Sequence, residues 1–146
     1  MKRKIESALQ GECYVWFSNT YCLKHHKPRL VWFLVPNEIA SVVGSVLKSM
    51  GVSNSIITKA VSMIVDGMKR VGFLGGVSDN IILADGGRTF LVEFKLEGNN
   101  QQPNQVDFQQ RAESLGHTYV VIKSLTQFKE FCAINFMKPY KHTNEE

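Results

Sequence analysis

Asp79, Glu93 and Lys95 are the residues of this chain whose types and spacing could do chemistry. Gly76-Val77-Ser78-Asp79 opens one apolar run, Val92-Glu93-Phe94-Lys95 closes the next, and Asp85-Gly86-Gly87 lies between them. Two carboxylates and an ammonium group at one edge of a hairpin can hold a hard cation, orient a water and direct it at a phosphodiester. Whether they meet depends on register. Residues 80–84 and 88–94 are rich in strand formers, and the Asp-Gly-Gly between them is a hairpin signal. A three-residue loop, a type I turn followed by a left-handed Gly87, pairs Ala84 with Arg88 and sets Asp79 opposite Glu93. Period-two alternation then puts Lys95 on the face of Glu93 and turns Phe94 towards the core. A two-residue loop would shift the pairing by one and split the acids between faces, so the three-residue turn is the expectation.

The elements that must position this hairpin can be read along the chain. Residues 3–18 form a helix by the recurrence of Ile5, Leu9, Cys13, Trp16 and Phe17, with Glu6 and Gln10 as i and i+4 neighbours on one side. A polar, basic loop over 19–29 follows. Residues 30–35 are a continuous apolar run bounded by Pro36, the mark of a short buried strand. Residues 38–50 and 54–70 read as two helices separated by Gly51, the second carrying an apolar stripe of Ile57, Ala60, Val61, Ile64 and Met68. After the hairpin, Pro103 opens a helix that runs to Leu115 with Phe108, Ala112 and Leu115 inward and Gly116 as its stop. A strand over 119–122, a helix over 126–136 and a polar tail from about 139 complete the chain. The order α, β, α, α, β, β, α, β, α predicts an α/β fold, a mixed sheet flanked by helices.

Bulk properties narrow the class. At 146 residues with 44% hydrophobic, the chain can fill one core, so a single domain over 1–146 is expected. The net charge of +4 mildly favours a polyanionic partner. Its placement says more: Lys2-Arg3-Lys4, then Lys24-His25-His26-Lys27-Pro28-Arg29, then Lys69-Arg70 are candidate phosphate contacts. Cys13, Cys22 and Cys132 form an odd set with no paired framework, which points to a reduced, intracellular and cytoplasmic protein. The longest apolar stretch, 56–65, is broken by Thr58, Lys59 and Ser62 and is too short for a membrane span. The basic start runs into Glu6 and Gln10, so no secretory signal is expected.

Taken together, Glu6 with Gln10, Pro36-Asn37, Gly72, Gly76-Val77-Ser78-Asp79, Glu93-Phe94-Lys95, Gln105, Gly116 and Ser124 resemble the PD-(D/E)xK nuclease superfamily, and within it the VRR-NUC family, over residues 6 to about 131. Two departures stand out: Ser78 occupies a position where the superfamily often has proline, and residues 38–71 make a helical insertion before the catalytic hairpin. The resemblance implies a restriction-endonuclease-like core. It also implies Mg²⁺ or Mn²⁺ held by Asp79, Glu93, the Phe94 carbonyl and Glu6, directly or through a water, with Lys95 on the attacking water and Gln105 lining the site. No small-molecule cofactor is implied. The expected activity is structure-specific cleavage of DNA, particularly branched DNA such as Holliday junctions, by a homodimer joined through the helical insertion and its Ile57–Met68 stripe.

The candidate nucleic-acid contacts are Lys4, Gln10, Lys24, His25, His26, Lys27, Arg29, Asn37, Lys69 and Arg70. Plainer readings stand beside these. Glu12 is the nearest rival to Glu6, and Asn37 fits an ordinary turn after proline. Cys13, Cys22, His25 and His26 match no common zinc spacing. Trp16, Phe17, Trp32 and Phe33 read as core, and the glycine pairs lack the context of a phosphate loop. A non-cleaving nucleic-acid-binding module of the same fold, or a sequence-specific restriction or RNA-processing nuclease, would share the same motif.

Overall fold

The computed structural model describes residues 2–22 and 30–136. Helix α1 (Lys2–Phe17) runs into a π-helical turn (Ser18–Cys22) and is followed by strand β1 (Val31–Leu34). Helices α2 (Ile39–Ser49) and α3 (Asn54–Arg70) form a hairpin of their own. Then come β2 (Asn80–Leu83), β3 (Thr89–Phe94), α4 (Pro103–Ser114), β4 (Thr118–Ile122) and α5 (Leu125–Asn135). The strands make one sheet in the order β1-β2-β3-β4, antiparallel at the first two pairings and parallel at the last. A parallel pair needs a crossover, and α4 supplies it between β3 and β4. The observed element order is the one expected, and the architecture is a mixed sheet flanked by helices.

The decisive register also holds. Asn80 pairs with Val92 and Leu83 with Thr89, and the Ala84 N–H donates to the Arg88 carbonyl at 2.9 Å. One detail differs: Gly86 as well as Gly87 is left-handed, at φ 70° and 72°, so the turn is not the type I turn expected. Glycine at both positions removes the Cβ penalty that would have opposed this. Arg88 clamps the turn, donating to the Asp85 carboxylate at 2.8 Å and to the Asn135 carbonyl at 2.6 Å.

The two sheet faces have different jobs. On one, Ile82, Val92, Phe94 and Ile122 are buried against Phe17, Phe128, Cys13 and Cys132 from α1 and α5. Trp32 joins them, its ring 5.1 Å from Phe17 and 5.3 Å from Phe128. On the other face Leu91 and Tyr119 pack with Ala112 of α4, beside Ile81, Phe108 and Val121. The aromatic cluster fixes α1 to the sheet, and the smaller cluster fixes α4, so both helices arrive at one end of β2 and β3.

Several sequence expectations need correction. The 30–35 run is not a buried strand. It is a sheet edge, where Leu30 and Trp32 turn into the core and Val31, Phe33 and Leu34 are exposed, because β1 has a strand neighbour on one side alone. Phe33 is therefore not core. Leu115 is exposed, since it caps α4 beyond the helix's inner face. The Ile57–Met68 stripe is half-buried and faces α2: a Cβ on Gly44 would lie 3.2 Å from Val61 Cγ2 and 3.6 Å from Ile57 Cγ2. The apolar row left open is on α2, where Ile39, Val42, Val46 and Met50 are exposed. Among the described residues no helix is long and apolar enough to cross a membrane.

The ends of α4 follow the sequence signals. Pro103 stands in its first turn, the Gln102 N–H donates to Gln105 Oε1 at 2.8 Å, and Gly116 at φ 87° lets the His117 N–H reach the Ala112 carbonyl at 3.1 Å. The loop leading to Asp79 lies directly against this helix start. Gly76 is at φ 88°, and a Cβ there would come 2.5 Å from the Asn104 carbonyl oxygen. Gly76→Ala therefore combines left-handed strain with a backbone clash and is expected to cost about 3 kcal/mol. A urea melt should show a lower midpoint at unchanged slope. A midpoint equal to wild type would mean that the loop does not press on α4.

Candidate active site

Asp79 sits just before β2 and is held from several directions. Its carbonyl accepts from the Val35 N–H at 2.8 Å, and its Oδ2 accepts from the Phe94 N–H at 2.9 Å. Asn37 donates its amide to the Val77 carbonyl at 2.7 Å and the Ser78 carbonyl at 3.3 Å, and buried Ser78 donates to the Asn80 carbonyl at 3.2 Å. The segment carrying the first acid is thereby tied to β1, to its own strand and to β3. Asn37, expected at a nucleic-acid contact, positions this backbone.

Glu93 is completely buried. Its Oε1 receives Lys95 Nζ at 2.8 Å and the Gln105 amide of α4, while its Oε2 receives the Tyr119 hydroxyl at 3.4 Å. Lys95 follows the end of β3, where its N–H donates to the Ile122 carbonyl at 3.0 Å. Asp79, Glu93, Lys95 and Gln105 are therefore brought together as the sequence implied, and Phe94 enters the site through its N–H.

Glu6 reaches the same end of the sheet from α1. Its Oε1 accepts from the Asn99 amide at 3.0 Å and, at 3.5 Å, from the Leu96 N–H. It anchors the turn after β3 while lying close enough to act electrostatically on Asp79 and Lys95. Its rival Glu12 is exposed. Gln10, expected to touch nucleic acid, instead donates to Asn80 Oδ1 at 3.1 Å, alongside Trp32 Nε1 at 2.8 Å. Lys69 and Arg70 are exposed in the last turn of α3, where cations suit the helix dipole. The side chain of Lys4, and Lys24, His25, His26, Lys27 and Arg29, lie outside the described residues. So do the two histidines of the zinc alternative, whose Cys13 is buried in the core with its thiol pushed up to about 12 by burial.

The electrostatics show what the acids lack. Burial, then the neighbouring Asp79 charge, pushes Glu93 up from 4.5 to about 7, against the opposing pull of Lys95. Burial also raises Asp79, with the Phe94 N–H and Lys95 opposing it and Glu6 and Glu38 adding to the rise. For Lys95 burial acts downwards, but its bond to Glu93 and the charges of Glu93, Asp79 and Glu6 outweigh it and raise the ammonium's pKa. Among the described residues, carboxylates thus outnumber the one ammonium at a largely dry strand end. Oxygen donors with surplus negative charge fit a hard divalent cation, with waters completing its shell. Asp79 and Glu93 are the residues to hold it. Glu6 lies at the same end of the sheet, within electrostatic reach of Asp79.

Sequence reasoning missed Tyr119, Asn80 and Asn99. Asn80 left a signal: the expected register already places it on the core face, where a polar residue needs a partner. Tyr119 depends on the parallel pairing of Leu91 with Tyr119, and Asn99 on the path of the turn after β3; neither leaves a local pattern. Beside the acids a groove of about 720 Å³ runs between α1, β1 and the start of α2, and includes Glu6, Gln10, Tyr14, Trp32, Asp79 and Asn80. Comparison with known proteins returns no matching family model, curated protein or solved structure.

The raised Glu93 sets a pH dependence. Its folded pKa lies above its ordinary value, so its contribution to stability is present below about 4.5 and is lost as pH rises to about 7. In metal-free buffer the melting temperature is expected to fall across that window, and Glu93→Gln should flatten the fall. A wild-type profile that rises with pH there and is unchanged by the substitution would contradict the burial of an ionisable Glu93.

Proposed function

We propose that this chain is a divalent-cation-dependent endonuclease of restriction-endonuclease-like type, hydrolysing phosphodiester bonds in DNA. The observation that carries the reading is the convergence of Asp79, Glu93 and Lys95 at one strand end, with Gln105 and Tyr119 fixing the Glu93 carboxylate. The similarity to VRR-NUC nucleases in the order and spacing of these residues supports the same reading. Bound Mg²⁺ or Mn²⁺ would supply acidified water and neutralise charge building on the phosphate oxygens. The chain's own residues do the rest. Asp79 and Glu93 provide the fixed oxygens that hold the ion. Lys95, drawn in by Glu93, is placed to orient the attacking water and to offset the carboxylates once substrate arrives. Glu6, by holding the 96–99 turn, keeps the approach to Lys95 in shape.

Asp79→Ala and Lys95→Ala are each expected to lower Mg²⁺- or Mn²⁺-dependent cleavage by about a thousandfold while leaving DNA binding largely intact. The assay should compare four-way junction, flap, nicked, linear duplex and single-stranded substrates, with branched DNA cut preferentially. Salt-sensitive binding without any metal-dependent product would identify a non-cleaving module instead. Cleavage confined to one short duplex sequence would overturn the branched-DNA preference.

A symmetric four-way substrate suits a two-fold homodimer. The exposed Val46 and Met50 at the C-terminal end of α2, which do not line the groove, are the surface proposed for that contact, in place of the α3 stripe that packs within the chain. Sedimentation should give a dimer that Val46→Glu dissociates. A wild-type monomer at working concentration would remove this part of the proposal.

A further inference from the structure

The groove beside the acids includes Asp79 and Glu6, but most of its lining has no part in the hydrolysis. At about 720 Å³ it falls within the range of sites that accept small organic groups. It contains two side-chain amides, each oriented by bonds at one end and left unpaired at the other. Asn80 is fully buried. Its oxygen accepts from Trp32 Nε1 and Gln10 Nε2, which fixes the orientation of the amide and leaves its nitrogen buried without a partner among the described residues. Asn37 is the mirror case: its nitrogen donates to the Val77 and Ser78 carbonyls, and its oxygen is buried without a partner among the described residues. Buried polar atoms are nearly always paired, and an unpaired one is costly. Both residues line the groove, so one unpaired donor and one unpaired acceptor lie buried in its wall, where a ligand carrying the complementary pair would satisfy them. The rest of the lining is largely apolar and includes two half-exposed rings, Tyr14 and Phe33.

A nucleobase meets these requirements: a flat ring for the aromatic wall, and an edge that offers a donor and an acceptor side by side. Asp79 lines the same groove, so a base held there adjoins the acidic centre. We propose that the groove receives one unstacked nucleobase of the DNA strand being cut, packed against Tyr14 and recognised by the amides of Asn80 and Asn37. The inference rests on the phosphodiester-hydrolysis reading and adds to it the feature that a substrate must present. A base within a duplex has its pairing edge occupied, so only an unpaired nucleotide can enter. The cut bond therefore lies next to an unpaired nucleotide, as it does at branch points and flaps.

The test has two arms. In the first, a single-stranded oligonucleotide carrying one fluorescent base analogue is added to the Lys95→Ala protein in Ca²⁺. The fluorescence should change on binding, and the change should be lost in a protein that also carries Val42→Trp. Val42 is an exposed lining residue, so the added ring fills the groove without disturbing the core. In the second, wild type and Val42→Trp cut a branched substrate with either a normal or an abasic nucleotide beside the cleaved bond. Wild type should cut the abasic substrate about tenfold more slowly, and Val42→Trp should cut both at one reduced rate. Tyr14→Ala should reproduce part of that loss, with circular dichroism confirming the fold of each variant. Equal wild-type rates on the two substrates overturn the inference while leaving the nuclease reading intact. So does an abasic effect that persists in Val42→Trp, which would mean that the base is read elsewhere. A fluorescence change abolished by Val42→Trp in a protein that cuts nothing supports the groove and removes the nuclease. A silent probe with no cleavage, as expected if an apolar peptide is the true occupant or the groove simply holds water, removes both.

Discussion

A carboxylate buried without exposure on a sheet face is the constraint around which the rest of this structure is arranged. Glu93 cannot stay charged there without nearby donors, and the fold supplies them from three directions: Lys95 from its own strand, Gln105 from the start of α4 and Tyr119 from β4. Each donor depends on a separate structural decision. The first needs period-two alternation, the second the capped start of α4 beside Gly76, and the third the parallel pairing of β3 with β4. Removing one donor from a buried charge leaves the remainder under-solvated, so these decisions are energetically coupled.

The partners around Glu93 also leave the site with a charge imbalance instead of a neutral ion pair. A second carboxylate, Asp79, is fixed across the hairpin by the Phe94 N–H, and Glu6 adds charge from α1. One lysine cannot neutralise them, and the acids respond by holding protons more tightly than they would in water. A divalent cation with its waters relieves the same imbalance. The same charge imbalance would give the site affinity for a divalent cation, a common arrangement where perturbed acids meet in a cleft.

Much of this was legible from local pattern. The Asp-Gly-Gly loop and the flanking alternation fixed the pairing that brings Asp79 opposite Glu93, because a one-residue slip would have sent the acids to different faces. The helix signals at Pro103 and Gly116 marked real ends, whereas the last helix begins at Leu125, one residue earlier than expected, behind Ser124, whose Oγ accepts from the Gln127 N–H. The failures came where tertiary neighbours decide. The 30–35 run has the composition of a buried strand, but nothing in six apolar residues tells an edge from a centre. The Ile57–Met68 stripe announced an interface, and Gly44 decided that α2 would fill it. Gln10 and Asn37 have roles inside the chain that no local pattern shows: Gln10 orients Asn80, and Asn37 holds the backbone before Asp79.

The central claim is that Asp79 and Glu93 together form a cation site, and Mn²⁺ titration by calorimetry tests it most directly. Wild type should bind Mn²⁺ with release of protons at pH values below about 7, where Glu93 still holds its proton, and Asp79→Ala and Glu93→Gln should each abolish both the binding and the release. Binding that survives either substitution unchanged, or the absence of binding by wild type at any pH, would contradict the account.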